Sequence, residues 1–167
     1  LVFSVIVPFL NEDDVLPETC RRLTAVMEGL GEPFELVFVN DGSTDRSPAI
    51  MEDLAARDPR VRLLSFSRNF GHQSAVLAGL EYAAGQALVV IDADLQDPPE
   101  VIVRMAEKWR QGYHVVYGRR EKRQGETWFK KATAFAFYRI LNRLCDFSIP
   151  ADTGDFRLID RKVRDVL

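Results

Sequence analysis

Short apolar runs alternate with longer amphipathic stretches through most of the chain. Residues 2–8, 35–40, 61–67, 87–92 and 114–118 are rich in β-branched side chains and nearly continuous in apolar ones. That is the pattern of strands covered on both faces. Residues 14–30, 46–57, 71–84, 99–111 and 126–144 carry apolar positions at helical spacing, and a short helix is expected from Asp160. Alternating strands and helices predict an α/β fold with a mainly parallel central sheet, right-handed crossovers and helices on both faces. Ligands of such sheets bind beyond the carboxyl ends of the strands.

Polar, turn-prone residues follow every predicted strand. They are Pro8-Phe9-Leu10-Asn11-Glu12, Asn40-Asp41-Gly42-Ser43-Thr44-Asp45, Ser67-Arg68-Asn69-Phe70-Gly71, Asp92-Ala93-Asp94-Leu95-Gln96-Asp97 and Gly118-Arg119-Arg120. Caps and turns account for part of this. Asp45, Ser43 or Thr44 would cap the second helix, and Asp97 ahead of Pro98-Pro99 is placed as an N-cap. Asp92 and Asp94 are left without such a reason. On extended chain, residues two apart point the same way, so a strand end would present both carboxylates side by side. They repel unless a cation sits between them. Hard oxygen donors favour Mg²⁺ or Mn²⁺, with Gln96 as a further ligand.

No G-x-x-x-x-G-K-[ST] loop occurs, and no G-x-G-x-x-G follows the first strand, which argues against a P-loop NTPase and a dinucleotide-binding dehydrogenase. Glu12 and Asp41 stand there instead. Carboxylates are poor phosphate ligands but good acceptors for ribose hydroxyls and for the N–H of a base. A diphosphate beside them then needs a cation.

The chain has 167 residues, enough for one domain with a core. The net charge of −3 is unevenly spread. Residues 119–143 hold eight Lys/Arg against two Glu, a net +6 that leaves −9 for the remainder. The segment is either a solvated helix face or the seat of an anionic ligand or surface. Trp128, Phe135 and Tyr138 among these cations would also suit a helix lying on a membrane. The two cysteines and two histidines form no disulfide framework or ligand pair. No apolar run approaches the ~20 residues of a membrane span. The chain starts inside a strand pattern and ends inside a helical one. It is therefore read as a single domain over 1–167, a soluble piece of a longer protein without its C-terminal membrane region.

Val5-Ile6-Val7-Pro8 with Asn11-Glu12, then Asn40-Asp41-Gly42-Ser43-Thr44-Asp45, then Asp92-Ala93-Asp94 resemble a family 2 glycosyltransferase of the GT-A fold, the nucleotide-diphospho-sugar transferase fold. Arg68-Asn69-Phe70-Gly71-His72-Gln73, the segment from Asp92 to Glu100, and Asp152-Thr153-Gly154-Asp155-Phe156-Arg157-Leu158 resemble more closely the polyprenyl-phosphate glycosyltransferases. That group includes the bactoprenol glucosyltransferases and the dolichol-phosphate mannose synthases. The resemblance implies inverting, metal-dependent transfer of a hexose from a UDP- or GDP-linked sugar, UDP-glucose first, to a polyprenyl phosphate. A saccharide hydroxyl acceptor and a non-catalytic nucleotide-sugar-binding module are the alternatives.

Carried onto this chain, the resemblance assigns Pro8, Asn11, Glu12, Asp41, Arg68, Asp92 and Ala93 to the nucleotide sugar. Asp92, Asp94 and Gln96 go to the metal. Arg119, Arg123, Lys130, Lys131 and Arg157 go to the acceptor phosphate or the diphosphate. Asp94, Asp155 and Arg119 go to catalysis, with Asp155 as a base or an orienting group. The expected setting is the cytoplasmic face of a bacterial inner membrane, with the membrane surface and no nucleic acid among the partners. The oligomeric state is not legible.

Overall fold

The computed structural model describes residues 1–119 and 153–166, with side chains for 1–118 and 156–166. In chain order these form β1 (Phe3–Phe9), α1 (Leu16–Leu30), β2 (Phe34–Asn40), α2 (Ser47–Arg57), β3 (Val61–Ser65), α3 (His72–Tyr82), β4 (Ala87–Val90), α4 (Val101–Arg110), β5 (Val115–Arg119), β6 (Thr153–Asp160) and α5 (Arg161–Arg164). Leu1–Tyr117 and the chain from Asp155 form one unit. The second, Gly118–Gly154, lies almost wholly outside the described residues, and with it the helix expected over 126–144.

The sheet order is β3-β2-β1-β4-β6-β5. β1 pairs in parallel with β2 and with β4, and β2 pairs in parallel with β3. The continuous apolar character of these strands has a direct cause. Phe3, Val5, Val7 and Phe9 point to the face covered by α1, α2 and α4, where Leu16, Leu23, Met27, Met51, Ile102 and Met105 complete a core. Ile6, Val37, Val39, Leu88 and Val90 point to the opposite face, against Ala75, Val76 and Leu80 of α3. Gly79 lets α3 sit close, because a Cβ there would overlap the Ile6 side chain.

Two expectations need correction. β6 is a strand that the hydrophobic pattern did not announce, and it runs antiparallel to β4, so the sheet is mixed. Its first residues are polar or glycine, and its apolar positions Phe156, Leu158 and Ile159 are too few to mark a strand before its neighbour is known. Helix α4 begins at Val101 with Glu100 in the cap position and no side-chain cap bond, so Asp97 is not its cap. The carbonyls of Pro98 and Pro99 accept the Val101 and Ile102 amides instead. The expected last helix does form, and Asp160 caps it by accepting the Lys162 amide at 2.9 Å.

Asp160 also ties α5 and β6 to α4. The Trp109 indole donates to its carboxylate at 2.7 Å, and the Trp109 ring meets Phe3 edge-on at 5.5 Å. Arg161 and Arg164 donate to the Ala83, Gly85 and Leu80 carbonyls at the end of α3. These cations neutralise acceptors that the helix cannot satisfy internally. Burial works against the charge on Asp160, but the Trp109 and Lys162 donors and the nearby His114 and Lys162 hold its carboxyl below the ordinary range. A folded value below the unfolded one stabilises the fold fully above the ordinary carboxylate pKa, and that stabilisation is lost as pH falls through the folded value. Trp109→Phe is expected to cost about 2 kcal/mol. Thermal melts taken from about pH 6 down to about pH 2 should show a shallower acid decline for Asp160→Asn than for the parent chain.

Candidate active site

β1 and β2 end level, with Phe9 opposite Asn40, whereas β4 ends three residues earlier, with Val90 opposite Ile6; the loops after β1, β2 and β3 are stitched together. Asn11 leaves β1 at φ 56°, its side-chain carbonyl accepts the Thr44 amide at 2.8 Å, and its own amide donates to Ser43 Oγ at 3.0 Å. The Glu12 amide donates to Ser47 Oγ at 2.9 Å. Asp45 accepts the Ser47 amide at 2.9 Å, which makes it the starting brace of α2. The second loop is fastened to the third by Asp41. This aspartate is buried, and its two oxygens accept the Phe70 amide at 2.8 Å and the Gly71 amide at 3.1 Å. Gly42 makes this approach possible. Its φ is +76°, and a Cβ would fall 2.5 Å from the Asn69 nitrogen and nearer still to the Arg68 carbonyl carbon.

These loops and the one after β4 enclose a cavity of about 270 Å³. Pro8, Glu12, Asp41, Asp92, Ala93 and Asp94 line it, so six expected site residues from three loops come together. Asn69, Gly71 and His72 complete the lining with Phe9, Leu10 and Ala75. These were not singled out individually, although Asn69, Gly71 and His72 lie in the Arg68–Gln73 motif; the overlooked signal was the polar and glycine positions of that motif, which line the cavity where its arginine does not. His72 opens α3 and holds its Nε2 3.7 Å from Asp92 Oδ1.

Asp92 and Asp94 do meet at one cavity, but not for the expected reason. β4 ends at Val90, the Ile91 amide still donates to the Ile6 carbonyl, and the chain then turns. Asp94 Oδ1 accepts the Gln96 amide at 3.0 Å, and Leu95 between them has φ 58°. A tight turn, not extended chain, therefore sets the two carboxylates. Partial burial, then the Asp94 and Asp45 charges, push the Glu12 carboxyl above its ordinary range. The lining residues comprise four acids and one histidine, with no lysine or arginine. Among the described residues, no three acid, histidine or cysteine side chains are placed to hold a metal unaided.

Other expected residues sit elsewhere. Gln96 is exposed and off the lining, as is Asn11, whose side chain is engaged in the loop junction. Arg68 stacks its guanidinium 4.2 Å over the Phe70 ring and is not among the lining residues. Arg157 lies on β6 opposite Val90 and is partly buried. Asp155 lies two residues before it on β6, beyond the last residue paired with β4. The side chains of Asp155 and Arg119 lie outside the described residues, as do Arg123, Lys130 and Lys131 altogether.

The sequence model for glycosyl transferase family 2 matches residues 4–167. The chain belongs to glycosyl transferase family 2. It is a glycosyltransferase domain of GT-A fold, and its acid-lined cavity lies at the carboxyl ends of the parallel strands. It is 59% identical over 98% of its length to an uncharacterised glycosyltransferase of Bacillus subtilis, of which it covers 50%. It is 41% identical over 96% of its length to a bactoprenol glucosyl transferase of Shigella phage SfV, of which it covers 52%. The chain thus spans about half the length of the curated relatives it matches. A mannosyltransferase of Pyrobaculum calidifontis, solved with GDP-Man and Mn²⁺, shares the fold with a TM-score of 0.66 at 23% identity, covering 98% of this chain and 46% of that one. Among the described residues no helix is long and apolar enough to cross a membrane.

Gly42→Ala is expected to lower the melting temperature and to weaken nucleoside diphosphate binding by about tenfold or more, since both the left-handed backbone and the overlap with Arg68–Asn69 oppose a side chain. Calorimetric titration with UDP and GDP measures this.

Proposed function

We propose that the whole protein transfers a hexose, glucose foremost, from a nucleotide sugar to a polyprenyl phosphate, with inversion at the anomeric carbon. UDP-glucose is the proposed donor, and the cytoplasmic face of a bacterial inner membrane is the proposed setting. One observation carries the donor side: four acids and no lysine or arginine line a cavity at the carboxyl ends of parallel strands in a family 2 domain. A diphosphate entering such a cavity on its own would be repelled. The donor set therefore fits a divalent cation, which Asp92 and Asp94 would hold, with Gln96 as the proposed further ligand. A hard cation that keeps few protein ligands and takes several from its substrate is the habit of Mg²⁺ and, with similar oxygen donors, of Mn²⁺. Such an ion stabilises the negative charge that develops on a departing diphosphate.

The chain's own residues supply placement. Glu12 and Asp41 offer acceptors to ribose and base, and Pro8 and Ala93 offer apolar walls. An acceptor phosphate is largely ionised near neutral pH. One of its oxygens forms the new bond to the anomeric carbon while the bond to the donor diphosphate breaks and its electron pair leaves with that group. No proton must be removed from the acceptor, so alignment is the main requirement. Arg119, Arg123, Lys130, Lys131 and Arg157 are the cations proposed to hold the acceptor phosphate or the diphosphate. Asp155 is proposed to orient the acceptor. The 41% identity to a bactoprenol glucosyl transferase supports the lipid phosphate as acceptor and glucose as the sugar.

A second reading has one observation in its favour. Asp155 stands two residues before Arg157, which pairs with Val90, the last residue of β4, and in this reading it is proposed as the base for a saccharide hydroxyl. Transfer of labelled glucose from UDP-glucose to undecaprenyl phosphate, against a panel of saccharide acceptors, separates the two. With the lipid phosphate, transfer should be lost on chelation and should fall about a hundredfold or more in Asp94→Asn. Asp155→Asn should reduce transfer more than donor binding. Turnover on a saccharide alone would overturn the lipid acceptor.

A further inference from the structure

The two aspartates at the cavity are held by a helix that carries none of the expected chemistry. Thr19, on α1, is fully buried, and its hydroxyl donates at 2.7 Å to the carbonyl of Ala93, the residue between Asp92 and Asp94. The same hydroxyl lies 3.1 Å from the Val15 carbonyl, which already accepts the Thr19 amide at 3.0 Å. The Ala93 carbonyl, closer and outside any strand or helix, is therefore its main partner. One turn further along α1, Arg22 grips Glu100 with bonds of 2.7 and 2.8 Å to its two oxygens. Thr19 and Arg22 lie three residues apart, so one face of α1 holds the loop after β4 near both its ends. Between those holds stands Leu95 at φ 58°, a backbone state that a branched side chain adopts only when its surroundings impose it.

We propose that Thr19 is a positioning residue for the metal-dependent step of donor binding, acting through the Ala93 carbonyl to set the spacing of Asp92 and Asp94, with Arg22–Glu100 as the outer brace. This rests on the donor-site role proposed above for those aspartates. Thr19→Val keeps the shape and removes the donor, leaving a buried carbonyl unsatisfied, whereas Thr19→Ser keeps the donor.

The test uses the full chain. Affinity for UDP and for GDP is measured with and without Mn²⁺, uridine and guanosine serve as phosphate-free controls, and amide hydrogen exchange at Asp94, Leu95 and Gln96 is followed without metal. Thr19→Val is expected to lose about tenfold of the Mn²⁺-dependent gain in affinity. Its nucleoside binding should stay within about twofold of the parent, its Asp94–Gln96 amides should exchange faster, and Thr19→Ser should restore all three readings. An undiminished Mn²⁺ gain in Thr19→Val overturns the inference while leaving the donor site standing. Equal loss of nucleoside and diphosphate binding overturns it too, as a general structural role. If the parent chain shows no Mn²⁺-dependent gain with either diphosphate, the donor-site role falls and the positioning role with it. Should Thr19→Val fail to fold, Arg22→Gln decides: it is expected to speed exchange across the same amides and weaken the Mn²⁺ gain, and an unchanged gain overturns the inference.

Discussion

Phe3 of β1 stands opposite Phe34 on one side and Ala87 on the other, and that shared register runs on through Ile6, opposite Val37 and Val90. β1 and β2 thereby end together at Phe9 and Asn40, and β4 leaves the sheet beside them at Val90, opposite Ile6, so that its loop starts alongside their last residues. Every loop that matters leaves the sheet there. Both faces of these strands are closed by helices, so a shift of one residue would exchange the side chains facing the two helical layers and spoil the packing of both. The core thus enforces the register, and the register enforces the meeting of Pro8, Asp41 and Asp92. The cavity is a consequence of how Ile6, Val7, Val37 and Val89 are buried.

Burying acids close together has an electrostatic cost: burial first, then the Asp94 and Asp45 charges, raise the carboxyl of Glu12. The fold meets that cost with fixed backbone donors. Asp41 is held by two amides, Asp94 by one, and Asp45 by amides and the Ser47 hydroxyl. Amide dipoles held by the chain need no rearrangement to stabilise a carboxylate. They also make Asp41 and Asp45 structural ties between loops, so that removing either disturbs its neighbours. Gly42 is the steric counterpart: without a side chain there, the second and third loops close on one another.

Much of this was legible along the chain. The apolar runs named five of the six described strands because a strand covered on both faces cannot hide its composition, and the helices between them followed from spacing. The acids and turn residues after each run marked the end of the sheet where the cavity lies, although Asp94 also serves its own turn by accepting the Gln96 amide. β6 was not legible. Phe156, Leu158 and Ile159 become a strand only because β4 offers them an edge to pair with. The pairing of the two aspartates was expected for the wrong local reason, because the chain turns after Ile91, with Leu95 at φ 58°, instead of running on extended.

The sequence by itself determined the layered α/β plan, the end of the sheet where chemistry sits, and the kinds of side chain that gather there. Those properties are carried by periodicity and residue type, which act over a few neighbouring positions. Only the tertiary structure decided that Asp41 is bound by the Phe70–Gly71 amides, that Asn69 and His72 share its cavity, and that Thr19 reaches Ala93 across 74 positions. Each of these depends on two segments arriving at one place in one register. Buried hydrogen bonds and close backbone approach have no periodic signature, so they appear only when the chain has packed.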